Sequence, residues 1–308
     1  MTAVDLLALG IIIDDLVLSD GTTHLGLLGG GGPQTAFGMR LWSDRVGLAA
    51  GVGADFPQAA RDWLHAAGID TGAVRQTAQP TLRAWQLLEA DGRHTQVWRS
   101  PISALPVNLA LDTATLPATH RNLQGLHTGI HPEEPNLQRL QALRAITRVL
   151  SIETWRPASS PPSPAALRTW LQLADIFSPN RAEAESLVGA GEPLALARRL
   201  IELGGCMIAL RLGLDGVLVC AANQPVLHLP ALEVRSTPHP LGAGNAFCGG
   251  FLAGWAATAD AAMAAAYGTV AASFMLEQPG LPPAPATLHA EAQRRLQRAQ
   301  QSTRIVIQ

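Results

Sequence analysis

The chain has 308 residues, of which 47% are hydrophobic and 15% are charged, and its formal net charge is −2. This length and composition predict a single α/β domain spanning residues 1–308, with a large core and little disorder. The small net charge provides no field that would attract nucleic acid or an anionic membrane, and no apolar run is long enough for a membrane span.

Strands and helices alternate along most of the chain. Continuous apolar runs predict strands that are buried on both faces, and periodic runs between them predict helices. The predicted elements are, in chain order, a strand at 4–13, a helix at 35–42, a strand at 45–53, a helix at 56–67, a strand at 123–130, a helix at 137–145, a strand at 148–153, a helix at 165–173, a strand at 175–180, helices at 181–188 and 193–203, strands at 206–213 and 216–221, an edge strand near 225–230 and a helix at 245–257. This alternation predicts a three-layer sandwich, with a mostly parallel central sheet between helices.

Two segments stand outside the alternation. Each has an Asp-Gly pair near its centre, flanked by short strand-like runs, which predicts a β-hairpin. The hairpins at about 14–28 and 83–100 together predict a small antiparallel β lid.

Cysteine and lysine usage narrows the chemistry. Cys206, Cys220 and Cys248 are scattered, with no metal-binding spacing, so free thiols and a location in the cytoplasm are expected. All 22 basic residues are arginine. A P-loop and a protein kinase both place a lysine on the phosphates, and Schiff-base catalysis needs one, so these mechanisms are excluded in their usual form.

The glycine-rich turn Gly242-Ala243-Gly244 is the first candidate for chemistry. Small residues let the backbone approach an anion, and the N–H groups and dipole of the following helix favour a phosphate there. The competing interpretation is an ordinary tight turn with close helix packing. Asn245 ends the turn, and its amide cannot take up a proton near neutral pH.

A second glycine cluster, at 29–32, precedes a helix that begins with Gln34. It predicts a substrate cradle, and its alternative is a flexible loop. Asp14 and Asp15 end the first predicted strand, where ligands bind in open α/β sheets. One of them can hold sugar hydroxyls through charge-assisted hydrogen bonds, and the alternative is a surface aspartate without a role.

The third candidate lies where the strand at 175–180 ends. Asn180 opens a helix and Glu183 follows three residues later, which is the spacing of a capping box. Glu183 can instead order the water molecules around Mg²⁺, because magnesium keeps several waters and needs few protein ligands.

In this order, the motifs resemble those of the PfkB family of carbohydrate and nucleoside kinases, which have the ribokinase-like fold. "LGIIIDDLV" is similar to the family's first strand, "GGGGPQTA" to G-G-x-G-x-N-x-A, and "GLAAGVGADFP" to G-x-x-G-x-x-G-x-D-x-x-G. "ADIFSPNRAEAESL" is similar to A-D-I-x-x-P-N-x-x-E, "ALRLGLDGVLV" to the strand-turn-strand near the nucleotide, and "HPLGAGNAFCGGFLAG" to D-T-x-G-A-G-D-x-F-x-G-x-F. The resemblance covers nearly the whole chain. It implies ATP, Mg²⁺ and transfer of phosphate to a hydroxyl of a sugar or nucleoside.

The resemblance also implies the roles of individual residues. These are catalysis by Gly242, Ala243, Gly244 and Asn245, substrate binding by Asp15, Gly30, Gly31 and Gln34, nucleotide binding by Asn180, Arg211 and Gly213, and a metal role for Glu183. A homodimer through the lid is expected, with no nucleic acid or membrane partner.

Four positions depart from the family pattern. Gln34 stands where Asn is usual, Arg211 where many members have Thr, and His239 where the last motif begins with Asp. Asn245 stands where the resemblance implies an Asp that acts as the catalytic base. Asn245 and the "IIDD" of the first strand are similar to the fungal Mak32-like branch of the family.

The loss of this base leaves several hypotheses. Positioned bases typically contribute about 10²–10⁴-fold, so the chain is expected to be a slow kinase, with Asp15, His239 or a γ-phosphate oxygen taking the proton. Alternatively it is an inactive nucleotide- or sugar-binding module, a pseudokinase. A structural protein with a decayed site is a third interpretation, and the retained glycines of both cradles argue against it.

Overall fold

The computed structural model describes residues 3–90, 94–234 and 239–307, and these residues form a large and a small β-sheet. The large sheet has ten strands, in the spatial order β14 (Arg304–Ile307), β13 (Val226–Leu229), β12 (Val217–Ala221), β11 (Met207–Arg211), β10 (Ile176–Phe177), β9 (Thr147–Thr154), β8 (Leu123–Ile130), β1 (Leu6–Leu9), β4 (Val46–Val52) and β5 (Asp70–Gln76). In this spatial order, all neighbouring strands from β11 through β10 and onward to β5 are parallel. The β11–β12, β12–β13 and β13–β14 pairs are antiparallel. The predicted mostly parallel sheet is therefore confirmed.

Helices cover both faces of this sheet. They are α1 (Gly31–Arg40), α2 (Gln58–Ala66), α3 (Ala104–Leu109), α4 (Leu137–Ile146), α5 (Pro164–Leu171), α6 (Arg181–Val188), α7 (Pro193–Glu202), α8 (Ala243–Thr258), α9 (Ala261–Met275) and α10 (Pro285–Ser302). Successive strand residues point to opposite faces of a sheet. Accordingly, Leu6 and Ala8 belong to the hydrophobic core that includes α1, α8 and α9, while Leu7 belongs to the core that includes α4 to α7. These are the two interfaces of a three-layer sandwich.

The small sheet has four strands and lies apart from the main sheet. Its spatial order is β3 (Thr23–Gly29), β2 (Ile12–Val17), β6 (Arg83–Leu88) and β7 (His94–Trp98). The β2–β3 and β6–β7 pairs are antiparallel, as two hairpins predict, and the hairpins join through a parallel β2–β6 pair. The turn predicted at 91–92 lies outside the described residues.

Several predicted boundaries were wrong, and the first strand is the most consequential. The apolar run at 4–13 is two strands, because Gly10 adopts a φ of 89° and its N–H bonds to the Ala49 carbonyl. The chain therefore leaves the main sheet after Leu9 and enters the small sheet at Ile12. This break carries Asp14 and Asp15 into the lid.

Other differences concern element ends. The first helix begins at Gly31 rather than at residue 35, and β13 is not an edge strand because β14 pairs with it. The pattern also continues past the last predicted element, since α9, α10 and β14 follow α8. Among the helices of the described residues, none combines the length and the apolar character that crossing a bilayer requires.

Candidate active site

Two helices that lie far apart in sequence meet at the site. Glycines allow α1 and α8 to pack backbone against backbone: a Cβ at Gly249 would overlap the Thr35 carbonyl oxygen, and a Cβ at Gly38 would overlap that of Ala246. The Thr35 hydroxyl donates a hydrogen bond to the Asn245 carbonyl at 3.1 Å. This packing explains glycines that otherwise cost helix stability, and it brings the N-termini of both helices together.

The turn at 242–244 separates two sides of the site. Gly242 caps α8 with a φ of 82°, and the helix begins at Ala243, inside the predicted turn. A Cβ on Gly242 would lie 2.6 Å from Cδ of Gln34, whereas a Cβ on Gly244 would overlap Nη1 of Arg211. We call the Gln34 side the acceptor side and the Arg211 side the phosphate side.

On the acceptor side, Asn245 and Gln34 are hydrogen-bonded to each other. Asn245 Nδ2 donates to Gln34 Oε1 at 2.6 Å. This orientation directs the other end of the Asn245 amide, the acceptor Oδ1, away from Gln34. The amide can thus accept a hydrogen bond from a hydroxyl and orient it, but it cannot take its proton.

Asp14 is the carboxylate that reaches the glycine cluster. Its Oδ2 accepts a hydrogen bond from the N–H of Gly30 at 3.2 Å, and its Oδ1 accepts one from Nε2 of Gln86 at 2.7 Å. Burial raises the pKa of Asp14 from 3.8 to about 6, although both hydrogen bonds oppose the shift. The side chain is therefore a weak base close to neutral pH.

Asp15 lies on the opposite side of β2, because adjacent strand residues alternate. It accepts a hydrogen bond from the N–H of Gly26 at 2.7 Å and forms an ion pair with Arg99. The structure thus places the neighbouring Asp14, and not Asp15, on Gly30. The resemblance matched Asp15, and no sequence signal separates the two.

Amide side chains extend from Asp14 across the small sheet. Gln86 Nε2 also donates to Gln96 Oε1 at 3.2 Å, and Gln86 Oε1 lies 2.7 Å from Nε2 of His94. Gln86 and Gln96 are direct cross-strand partners, and Gln86 is buried. Burial lowers the pKa of His94. Sequence analysis missed this network, although a glutamine inside an apolar strand was a usable signal.

On the phosphate side, Arg211 joins two carboxylates. It is the last residue of β11, and its N–H bonds to the Pro179 carbonyl at 2.9 Å. Its Nη2 lies 2.9 Å from Glu153 Oε2 and 3.3 Å from Glu183 Oε2, and it donates to the Ser178 carbonyl at 2.8 Å. One guanidinium therefore bridges the ends of three strands.

Glu183 forms the predicted capping box with Asn180. The Asn180 N–H donates to Glu183 Oε2 and Asn180 Nδ2 donates to Glu183 Oε1, both at 2.8 Å, while the Glu183 N–H donates back to Asn180 Oδ1 at 2.8 Å. Burial raises the pKa of Glu183 to about 7, with Arg211 opposing the shift and Glu153 adding to it.

Glu153 is a buried carboxylate on this side that the sequence did not reveal. It is buried in β9, where its Oε1 lies 3.3 Å from Nε2 of His127 and its Oε2 accepts a hydrogen bond from the Cys248 thiol at 3.7 Å. Burial raises the pKa of Glu153, but the charge of Arg211 and the bond from His127 outweigh burial, so the pKa lies below its ordinary value. Burial raises the pKa of Cys248, which keeps it a thiol.

The carboxylates here do not fit the magnesium site that the resemblance implies. Mg²⁺ needs oxygen ligands that are available to it or to its waters. Both oxygens of Glu183 already accept hydrogen bonds, and both Glu183 and Glu153 are paired with the Arg211 cation. Ligand atoms of His127, Glu153 and Cys248 lie within 4.8 Å of one another, but the adjacent guanidinium disfavours a second cation there as well.

The remaining predicted residues are Gly213 and His239. Gly213 follows β11 with a φ of 64°, and no described atom lies within 4 Å of the position of an added Cβ, so its surroundings are open. The His239 N–H bonds to the Leu276 carbonyl at 2.9 Å. The turn after β11 is thus exposed at Gly213.

Solved structures share the fold. The ribokinase of Cryptococcus neoformans in complex with ADP superimposes with a TM-score of 0.74 at 20% identity, covering 95% of this chain and 100% of that one. The aminoimidazole riboside kinase of Salmonella enterica, complexed with aminoimidazole riboside and an ATP analogue, has a TM-score of 0.74 at 17% identity, covering 95% and 99%. These similarities confirm the ribokinase-like α/β fold.

Curated relatives and a family model identify the family. The chain is 27% identical to an uncharacterized protein of Schizosaccharomyces pombe, covering 88% of this chain and 83% of the relative. It is also 27% identical to the cytidine kinase of Thermococcus kodakarensis, covering 82% and 88%. The similarity to the Mak32-like branch stays a prediction. Residues 8–286 match the model of the pfkB family carbohydrate kinases, and the protein therefore belongs to this family.

Proposed function

We propose that the protein transfers the γ-phosphate of ATP to a hydroxyl of a sugar or nucleoside. One observation carries the proposal: a single glycine turn has a hydroxyl-orienting amide pair, Asn245 and Gln34, on one side and the guanidinium of Arg211 on the other. Use of ATP is supported by similar kinases that bind ADP and an ATP analogue.

The turn and Arg211 favour the developing negative charge. N–H groups at the start of α8 point toward a bound phosphate, and the helix dipole adds to their effect. Phosphoryl transfer depends mostly on positioning and electrostatic stabilisation, so these groups supply most of what the reaction needs. The guanidinium keeps its charge at any working pH.

We assign acceptance of the hydroxyl proton to Asp14. In the reaction, the acceptor oxygen bonds to the γ-phosphorus, the bond from that phosphorus to the bridging oxygen breaks, and ADP leaves. The hydroxyl proton goes to the Asp14 carboxylate, which is ionised above its pKa of about 6. Asn245 Oδ1 orients the hydroxyl, as expected of an amide at the start of α8.

The lid supplies groups that recognise a polar acceptor. Gln86, Gln96 and His94 extend the hydrogen-bonded network of Asp14 across the small sheet. Amides both donate and accept, which suits the hydroxyls of a sugar or a ribose. The similar proteins include a cytidine kinase and a nucleoside kinase in complex with inosine, so nucleosides belong in the first substrate panel.

The test is ADP formation with a panel of sugars and nucleosides, using Asp14→Asn and its neighbour Asp15→Asn as a matched pair. Loss of a positioned base lowers kcat by about 10²-fold or more, so this loss is expected for Asp14→Asn, with a much smaller change for Asp15→Asn. Equal losses would contradict the assignment of Asp14. The proposal of a kinase fails if no acceptor supports turnover and Asn245→Asp is silent too.

A pseudokinase is the second candidate, because the residue at the usual base position is an amide engaged with Gln34. Such a module binds without turnover. ATP or a sugar would raise the melting temperature of the protein while ADP formation stays at background. Turnover that persists through purification and disappears in Gly244→Asp would rule this candidate out.

We also propose a homodimer through the small sheet. Leu25 on β3 is 64% exposed and Val97 on β7 is 45% exposed, and both are large apolar residues. Light scattering should give the mass of a dimer, and Leu25→Glu with Val97→Glu should shift it to a monomer. A location in the cytoplasm stays a prediction, and so does the use of magnesium, for which Glu153 and Glu183 do not provide the site.

A further inference from the structure

The phosphate side of the turn contains a cation that belongs to the chain. Arg211 uses Nη2 for Glu153, Glu183 and the Ser178 carbonyl, while its Nη1 lies against Gly244. The guanidinium thus faces the carboxylates with one nitrogen and the phosphate-binding turn with the other. This arrangement differs from a purely structural ion pair, which has no reason to touch the turn.

Arg211 also has a donor that the chain does not satisfy. Its Nε is buried and has no hydrogen-bond partner among the described residues. A buried donor without a partner is destabilising, because its loss of hydration is not offset by another hydrogen bond.

The carboxylates of Glu153 and Glu183 both form ion pairs with this guanidinium. Glu153 and Glu183 are buried, come from different elements and share one cation between them. In a magnesium-dependent site, such acids would hold the divalent ion, and the positive charge of the ion would screen the phosphates. In this chain the balancing charge is a side chain fixed at the end of β11.

We propose that Arg211 is a built-in cation of the phosphate site. Its guanidinium supplies beside Gly244 the positive charge that a divalent cation would otherwise bring, so that the protein binds nucleotide phosphates without a metal ion held by Glu153 and Glu183. The inference rests on the proposed function, because it concerns the nucleotide of that reaction. It goes further by naming the group that neutralises the phosphates, which is the Arg211 guanidinium.

Position 211 is informative because threonine is the residue that the family resemblance leads one to expect. A threonine would leave two buried carboxylates without a cation, and buried charges persist only when paired or bound to a metal. A threonine at this position therefore favours a divalent ion beside the carboxylates, whereas the charge of Arg211 disfavours one. With arginine in place of threonine, the positive charge comes from a side chain instead of a metal ion, and it lies at the same place in the site.

The experiment is calorimetric titration with ADP, in excess Mg²⁺ and in EDTA. Wild type should bind ADP with dissociation constants that differ by less than about threefold between the two buffers, a difference well under 1.4 kcal/mol. Arg211→Met should lose at least about tenfold in EDTA, since a charge-assisted hydrogen bond is removed, and Mg²⁺ should restore part of the loss.

Arg295→Met is the matched control. Arg295 is also buried and paired with acids, but its bonds go to Ser273, Glu277 and Glu291. This variant should lose stability and keep the ADP affinity of wild type in both buffers. Arg211→Lys, which keeps the charge, should retain binding in EDTA with a smaller loss than Arg211→Met.

A second measurement needs no nucleotide. Arg211→Met frees two carboxylates, so Mn²⁺ alone should raise its melting temperature and leave that of wild type unchanged. If Arg211→Met does not fold, the addition of Glu153→Gln and Glu183→Gln removes both unpaired charges. Calorimetry with ADP then shows the same loss in EDTA.

The outcomes separate the two proposals. ADP binding by wild type that falls about tenfold or more in EDTA overturns the role of Arg211 and leaves the kinase proposal intact. An Arg211→Met variant with unchanged affinity in EDTA overturns it as well. Absence of ADP binding in both buffers overturns the proposed function and, with it, this inference.

Discussion

The acceptor side and the phosphate side of the turn at 242–244 hold charge in different ways. On the acceptor side, an amide pair lies at the turn, and a buried carboxylate from the lid strand β2, Asp14, accepts a hydrogen bond from Gly30, the N-cap of α1. On the phosphate side, a cation lies at the turn, and both acids behind it are neutralised by it. One side is thus polar but uncharged at the turn, and the other is charged.

The difference shows that α8 contributes backbone rather than ionised side chains. The charged groups come from strands, Asp14 within β2 and Arg211 at the end of β11, and Gly29 leaves room for the first and Gly244 for the second. Another element of the fold can therefore provide the base or the cation, if its side chain reaches the same site. The following predictions test this comparison, beginning with the largest expected effect.

Gly249→Ala should disrupt both sides of the site, because it forces α8 away from α1. The new Cβ would overlap the Thr35 carbonyl, so overpacking should outweigh the gain in helix propensity and cost about 3 kcal/mol or more in unfolding free energy. Urea denaturation measures this loss. Gly31→Ala is the control, because its Cβ would meet no atom within 4 Å, and it should leave stability unchanged or slightly higher. Equal stability of both variants would contradict backbone contact between the helices.

Asp14 should make stability depend on pH. Its folded pKa of about 6 exceeds the ordinary 3.8, so the native protein binds more protons between these values and stability falls as pH rises from about 4 to 6. Relative to Asp14→Asn, the unfolding free energy of wild type should fall by about 2–3 kcal/mol across this window and then level off. Parallel curves for the two proteins would show that Asp14 is not buried as an ionisable group.

Asn245→Asp tests whether a carboxylate at the turn would make the acceptor side catalyse faster. The new carboxylate should raise kcat by about 10- to 100-fold, less than the full range for a positioned base because Gln34 must turn its amide to donate to it. Steady-state ADP formation measures the change. Unchanged or lower kcat would contradict this prediction, because a second carboxylate at the turn would then add nothing to the proton transfer assigned to Asp14.

Arg99→Ala should have the smallest effect. Its ion pair with Asp15 is screened by solvent only at the arginine end, because the Arg99 side chain is 42% exposed and that of Asp15 is 6% exposed. The unfolding free energy should fall by about 1 kcal/mol, because the contact with the Trp85 ring is lost while Asp15 keeps its hydrogen bond from the Gly26 N–H. A large rise in KM for the acceptor would instead place Asp15 in the substrate site.

The sequence alone determined the fold and the approximate places of the site. Hydrophobic runs and the local spacing of Gly, Asn and Glu are short-range features, so they predicted the βα alternation, the capping box of Asn180 and Glu183, and the turn before α8. Matches to ordered motifs along the chain then indicated the family. These features survive in the folded protein because each depends on neighbours within a few residues.

Only the tertiary structure decided which groups meet. Gly10 breaks the first strand, and the register of β2 then places Asp14 rather than Asp15 on Gly30. Glu153 and Arg211 lie 58 positions apart in number and pair only because β9 and β11 flank β10 in the sheet. Strand alternation and strand order set these contacts, and neither leaves a local pattern in the sequence.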